Sequence, residues 1–135
     1  DEGKIFMRTE IHINSGTQNG PVITFPISDE IKATTLIPSG KMITDSEKMS
    51  FVYLLDEEEE YGQLHFERAV WPLLVDSIKL DTNPVIIFDG NTISLTGFIE
   101  ELTMLIYNIE GNNNYGEAFT SAVESAFEEI LKRTI

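Results

Sequence analysis

The sequence contains no cysteine. Disulfides, thiolate metal sites and a cysteine nucleophile are therefore excluded, and the absence fits a reducing cytoplasm. The first ten residues lack the basic and apolar regions of a signal peptide, so we expect a cytoplasmic protein. No apolar run approaches the roughly 20 residues that a membrane-spanning helix requires, and we expect no membrane span.

Basic residues are scarce. Nine Lys and Arg stand against 23 Asp and Glu, which gives a formal net charge of -14. From Leu80 to Leu131 every charged residue is an acid. Such a surface repels phosphate backbones and anionic lipids, so we expect no direct binding to nucleic acid or membranes. A basic protein partner would be attracted to it, although solubility alone is an alternative explanation of the charge.

Enzyme motifs are absent as well. The chain has no Gly-x-Gly-x-x-Gly, no Gly-x-x-x-x-Gly-Lys-Ser/Thr and no Gly-x-Ser-x-Gly. His12 and His65 lack the i+4 partner of a helical metal pair, and His65 with Glu67 would still need a third ligand from elsewhere. We therefore predict no catalytic residue, no cofactor and no metal site. A small hydrolase that uses carboxylates is the open alternative.

Alternation of apolar and polar residues predicts strands. The predicted strands cover residues 4–14, 21–27, 49–56, 84–88 and 91–95. The first two could pair as a hairpin across the turn-rich loop 14–20, and Pro26 suits a sheet edge or a strand end. Asp89-Gly90 predicts a tight hairpin turn. Residues 63–80 suit either a strand or a helix with Pro72 in its first turn.

Helical periodicity closes the chain. The apolar residues between Phe98 and Ile109 fall on one helical face, and those between Phe119 and Leu131 do the same. Thr96 and Asn114 are the expected N-caps of these two helices. The order of elements predicts one α+β domain over residues 1–135. In this domain an antiparallel or mixed sheet from the first two thirds carries helices on one face, and a helix pair ends the chain.

Acidic and aromatic side chains are the expected contact residues for a partner. Five acids stand side by side before Tyr61, and an aromatic ring next to carboxylates suits an interface. A solvated loop is the alternative for this run. The predicted helix from Phe98 adds two acids and an exposed aromatic residue. The predicted partner-binding residues are Asp56, Glu57, Glu58, Glu59, Glu60, Tyr61, Glu100, Glu101 and Tyr107.

The C-terminal third resembles the tail of small bacterial immunity proteins. The resemblance covers the run from Phe98 to Gly111 and the segment from Asn112 to Phe119. It implies a cytoplasmic protein that binds one cognate toxin of a polymorphic or contact-dependent growth-inhibition system, and many such toxins are basic nucleases. With the charge, it predicts an acidic inhibitor that occludes a toxin active site and does no chemistry itself. An inhibitor that mimics DNA is a further alternative.

Overall fold

The computed structural model describes residues 9–27, 36–57 and 61–133. Along them run eight strands and four helices: β1 (Glu10–Ile13), β2 (Thr17–Asn19), β3 (Val22–Pro26), β4 (Pro38–Asp45), β5 (Ser50–Asp56), β6 (Tyr61–Glu67), α1 (Trp71–Leu80), β7 (Val85–Phe88), β8 (Asn91–Ser94), α2 (Phe98–Ile109), α3 (Glu117–Ala126) and α4 (Glu128–Leu131). The predicted α+β class and C-terminal helix pair are confirmed. None of the described helices is long and apolar enough to cross a bilayer.

The strands form two mixed sheets where the sequence predicted one. The first sheet has the order β1-β6-β5-β4 and the second has the order β2-β3-β7-β8. Each contains one parallel pair, β1 with β6 and β3 with β7. The expected hairpin of the first two predicted strands is wrong, because β1 and β3 belong to different sheets. Part of the expected loop between them forms β2, which pairs with β3.

Strands with strong local signals match their predictions. Asp89 and Gly90 have φ angles of 54° and 78°, as a tight turn with two left-handed residues requires. This turn joins β7 to β8, and β7 is central because β3 lies on its other side. Pro26 lies beyond the residues of β3 that pair with β2, so its missing N–H leaves no gap in that ladder. Residues 63–80 contain both alternatives, the end of β6 and then α1 with Pro72 in its first turn.

The start of α2 differs from its prediction. The capping position is Gly97 at a φ of 73°, whereas the sequence suggested Thr96. The helix is instead capped from a distance, since the side-chain oxygen of Asn83 accepts a hydrogen bond from the N–H of Ile99 at 3.0 Å. This long-range bond ties the loop after α1 to the first turn of α2.

The last predicted helix is also rearranged. Asn114 lies in a 3-10 turn over Asn113–Tyr115 and does not cap the helix, which begins at Glu117. Phe127 then interrupts the helix at φ -108° and ψ 24°, which separates α3 from α4. The interruption directs the Phe127 ring into the core, where it is fully buried.

Aromatic side chains join the two sheets to the helices. Trp71 is fully buried, and its indole N–H donates to the carbonyl of Phe66 at 3.1 Å. The Trp71 ring centroid lies 5.2 Å from Phe51 and 5.8 Å from Phe127. The Phe66 ring lies 5.2 Å from Phe25 in the second sheet. One connected set of buried side chains therefore reaches across both sheets and the helices.

Candidate functional site

The parallel pair of β1 and β6 gathers polar side chains on one face of the first sheet. Ile11 of β1 belongs to the core. Because side chains alternate along a strand, Glu10 and His12 point to the opposite face. The register sets His12 beside His65 and Glu10 beside Gln63. Two residues that are distant in the sequence thus become neighbours.

One carboxylate oxygen lies close to both imidazole rings. Glu10 Oε2 is 3.5 Å from His12 Nε2 and 3.4 Å from His65 Nε2. Candidate ligand atoms of the three residues all lie within 4.8 Å of one another. The two imidazole rings are stacked, with centroids 4.6 Å apart. Lys48 Nζ approaches the same Glu10 oxygen at 3.5 Å. We call Glu10, His12 and His65 the histidine cluster.

A second layer of polar groups orients the two rings. Glu67 Oε2 is 3.1 Å from His12 Nδ1, so this carboxylate accepts from the nitrogen that faces away from Glu10. Gln63 Oε1 is 2.8 Å from His65 Nε2. These contacts arise because β6 places Gln63, His65 and Glu67 on one face. Each ring is therefore fixed by a neighbour from β6.

His65 is the buried member of the cluster. Its side chain is only 2% exposed, whereas that of His12 is 42% exposed. Burial lowers the pKa of His65, and the neighbouring His12 lowers it further, against the opposing effect of Glu10. Its Nδ1 has no hydrogen-bond partner among the described residues. The lowered pKa favours the neutral form of His65, and neutral imidazole is the form that binds metal ions.

The donor set of the cluster belongs to transition-metal chemistry. Two imidazole nitrogens with one carboxylate oxygen suit zinc and its neighbours among divalent ions. The sequence predicted no metal site, because His65 and Glu67 lacked a third ligand nearby. In the structure β1 brings Glu10 and His12 to His65, and Glu67 contacts His12 instead of joining the ligand set. The alternation around His12 and His65 was visible in the sequence, but the parallel pairing has no local signal.

The structure describes two of the five acids in the predicted run, Asp56 and Glu57. Asp56 ends β5 and stands directly opposite Tyr61 at the start of β6. Glu57 Oε2 accepts a hydrogen bond from the N–H of Thr9 at 3.3 Å, so this carboxylate is turned towards the chain before β1. The Tyr61 hydroxyl accepts from Lys41 Nζ at 3.0 Å, and this bond raises the pKa of Lys41. The remaining acids of the run lie outside the described residues: Glu58, Glu59 and Glu60.

The predicted contact residues of α2 lie on its solvent side. Glu100 and Tyr107 are exposed, and Glu101 is half-buried beside them. Met104 lies between them, because positions i, i+4 and i+7 share one helical face. The Tyr107 hydroxyl donates to the carbonyl of Ile130 at 3.2 Å. We call these four α2 side chains the α2 face. Among the hydrogen bonds and ion pairs of the described residues, none joins this face to the β5–β6 end.

A groove lies next to the α2 face. It has a volume of about 560 Å³ and runs between the end of α1 and the start of α2. Asp81 and Glu100 contribute carboxylates to its lining, and Arg133 contributes a guanidinium. Arg133 offsets one of the two acids, so the lining of the groove carries little net charge.

Comparison with known proteins identifies the family. The model of UPF0738, described as a family of unknown function, matches residues 11–127. A UPF0738 protein of Lysinibacillus sphaericus is 40% identical over 107 residues, which cover 79% of this chain and 84% of that protein. Its counterpart in Shouchella clausii is 39% identical over 77% of this chain and 87% of that protein. One from Staphylococcus aureus is 34% identical over 87% and 96%.

No solved structure matches the chain. The family match overturns the resemblance to bacterial immunity proteins, since it extends over most of the chain and the relatives carry only the UPF0738 name. The similarity that suggested an immunity protein was confined to the C-terminal third. The chain belongs to UPF0738, a bacterial family of unknown function.

Proposed function

We propose that the protein is an acidic binding protein that contacts a basic region of a partner protein through its α2 face. One observation carries the proposal. Met104 and Tyr107 are 51% and 46% exposed, next to the carboxylates of Glu100 and Glu101. Methionine and tyrosine are enriched at the centres of protein interfaces, and neighbouring carboxylates select for Lys and Arg on the partner.

The two apolar side chains matter more to this argument than the acids. Glu100 and Glu101 lie in the first turn of α2, where carboxylates stabilise a helix through its dipole. They therefore have a structural role without any partner. Contact with water is not favourable for the apolar atoms of Met104 and Tyr107, and a soluble surface does not require these two side chains. Their position supports binding over solubility alone.

The charge of the whole chain supports a basic partner. The formal net charge is -14. Long-range attraction of this kind accelerates encounter with a positively charged surface and weakens with added salt. Nucleic acid and anionic membranes would be repelled by the same charge.

We propose a basic protein as the partner. A toxin as the partner followed only from the resemblance to immunity proteins, so the partner class is left general. Binding by occlusion requires no catalytic step, and we assign none. We place the protein in the cytoplasm because the chain has no cysteine. Cell fractionation with an antibody checks this location.

Crosslinking in cells tests the binding proposal. The tagged chain is expressed in the bacterium that encodes it, crosslinked, purified and analysed by quantitative mass spectrometry. We expect one dominant protein partner whose crosslinked segment is rich in Lys and Arg. The double variant Met104→Ser/Tyr107→Ser should lower its yield at least tenfold, because it removes the apolar centre of the contact. The double variant Glu100→Gln/Glu101→Gln should lower the yield less and reduce its dependence on salt.

A charge-matched control separates the α2 face from total charge. The double variant Glu47→Gln/Glu117→Gln also removes two negative charges. One of them, that of Glu117, lies in the first turn of a helix, as those of Glu100 and Glu101 do. It should retain the partner. Equal recovery of the partner by every variant would place the contact elsewhere and contradict the proposal.

A further inference from the structure

We propose that Glu10, His12 and His65 bind one divalent transition-metal ion of the zinc class on the outer face of the first sheet. The ligand atoms would be Glu10 Oε2, His12 Nε2 and His65 Nε2. This inference goes beyond the proposed partner binding, because the cluster is formed by β1 and β6 and does not involve α2.

The distances fit tetrahedral coordination. With metal–ligand bonds of roughly 2.0–2.1 Å, two ligands of a tetrahedral ion stand about 3.3–3.4 Å apart. The Glu10 oxygen lies 3.4 Å from His65 Nε2 and 3.5 Å from His12 Nε2. Two edges of the coordination shell are therefore already near their bound length. An octahedral ion with similar bonds would need edges of about 3.0 Å, which fits these contacts less well.

The surroundings of His12 resemble the support of a metal ligand. A histidine that binds a metal through Nε2 commonly donates its Nδ1–H to a carboxylate, which fixes the tautomer and strengthens the ligand. Glu67 Oε2 occupies this place, 3.1 Å from His12 Nδ1. The arrangement directs the remaining nitrogen of His12 towards Glu10.

Stacking of the two rings brings both histidines to the same carboxylate. The His65 ring is buried under the His12 ring, at a centroid distance of 4.6 Å. Side-chain freedom is already lost at His65, so metal binding costs little further ordering there. The histidine cluster has three ligands in total, which leaves one tetrahedral position for water. Gln63 Oε1, now 2.8 Å from His65 Nε2, would give up its hydrogen bond to this nitrogen when the metal binds. A site with three protein ligands and one open position is the usual form of a reactive zinc centre.

Lys48 is the group that a metal ion must displace. Its ammonium lies 3.5 Å from Glu10 Oε2 and forms an ion pair with the carboxylate that would bind the metal ion. The Lys48 side chain is 54% exposed, so it can move into solvent. Removing its charge should strengthen metal binding. An ordinary surface ion network would show no such gain, because it has no metal to bind.

Zinc titration of tag-free protein tests the site. The protein is stripped with a chelator, transferred to buffer with excess Mg²⁺ to occupy the general acidic surface, and titrated with Zn²⁺ by calorimetry. We expect one Zn²⁺ per chain. Glu10→Gln and His12→Gln should each weaken binding at least about tenfold. Lys48→Gln should strengthen it several-fold. His65 is buried, so the test uses the two exposed ligands, whose variants should fold.

Cobalt and thermal unfolding give independent readouts. Co²⁺ in a four-coordinate site with two imidazoles absorbs visible light far more strongly than hydrated Co²⁺, and the band should be lost in Glu10→Gln/His12→Gln. Zn²⁺ should raise the Tm of the wild type but not of this double variant, since binding stabilises only the folded state.

The control variant is Glu117→Gln, which removes an exposed acid from another part of the chain. It should bind Zn²⁺ like the wild type. If the wild type and Glu10→Gln/His12→Gln take up Zn²⁺ equally, or neither does, the cluster is a surface ion network and the metal proposal is wrong. Neither result affects partner binding, which is measured with variants of α2.

Discussion

The hydroxyl of Tyr53 connects three elements. It donates to the carbonyl of Thr96 at 2.6 Å and accepts from the N–H of Gly40 at 3.1 Å. The ring is buried and stacks on Phe98, with centroids 5.7 Å apart. One side chain of β5 thus holds the irregular start of β4 and the beginning of α2. The α2 face is positioned in part through this contact.

Replacing Tyr53 by Phe should destabilise the fold without disturbing its packing. The aromatic stack is kept, but the polar backbone atoms of Thr96 and Gly40 lose their partner. Thr96 is exposed and Gly40 is half-buried, so water can replace part of each bond, and we expect the free energy of unfolding measured with urea to fall by about 0.5–1.5 kcal/mol per lost hydrogen bond. Tyr107→Phe is the matched control, because its hydroxyl bond is made by an exposed side chain. Similar losses in the two variants would contradict this account.

The same substitution has a signature at high pH. Burial raises the pKa of Tyr53 above its usual value near 10, and the charge of Asp56 adds to the effect. The folded chain then holds this proton more tightly than the unfolded chain. The resulting stability is present below about pH 10 and is lost as the pH rises towards the folded-state pKa. Urea titrations above pH 9 should show a shallower decline for Tyr53→Phe than for the wild type.

At the scale of elements, Gly40 in β4 and Gly97 before α2 allow these two elements to approach each other closely. Gly97 has a φ of 73°, and a Cβ there would lie 3.3 Å from the carbonyl oxygen of Gly40. Gly111 has a similar φ of 69° with open space around it. An alanine at position 97 or at position 111 would be held in a left-handed backbone conformation, which should lower the stability of the fold by about 1–2 kcal/mol. Gly97→Ala should lower the free energy of urea unfolding more than Gly111→Ala does, because the added Cβ would also push the start of α2 away from β4. A larger loss for Gly111→Ala would refute this explanation.

Elements were predictable where their signal is local. Asp89-Gly90 and the apolar stripe of α2 specify a turn and a helix by themselves, and both predictions are confirmed. The cap of α2 was not predictable, because the carbonyl of Thr96 bonds Tyr53 and the first turn is capped from Asn83. These partners are distant in the sequence and meet only in the folded chain.

The two candidate sites also differ in whether a local sequence signal indicates them. The sequence predicted an exposed aromatic residue and two acids on this helix, and in the structure Glu100 and Tyr107 are exposed while Glu101 is half-buried. The histidine cluster depends on the register of a parallel pair, and no turn or spacing in the sequence sets that register. In the sequence His65 lies in a segment that suited either a strand or a helix, and only the fold places Glu10 beside it. Sequence patterns therefore indicated exposed side chains on α2 but not the cluster.

For the whole molecule, the lysines of the described residues are largely occupied by single partners. Lys79 pairs with Glu129 at 3.0 Å, and Lys132 pairs with Glu128 at 2.8 Å. Lys48 is engaged by Glu10 at 3.5 Å. These contacts compensate a few acids locally and leave most of the excess negative charge unopposed. The remaining carboxylates repel one another in the folded chain more than in the expanded unfolded chain.

Screening this repulsion should stabilise the protein. Raising NaCl from low to near-physiological concentration shortens the Debye length to about 8 Å, so we expect Tm to rise by roughly a few °C. A variant with four acids neutralised (Glu100→Gln, Glu101→Gln, Glu110→Gln and Glu117→Gln) should show a smaller rise, because it has less repulsion to screen. Scanning calorimetry over the salt series measures both. A Tm that falls with salt in the wild type would mean that ion pairs such as that of Lys79 with Glu129 stabilise the fold by more than the repulsion destabilises it, which would contradict this account.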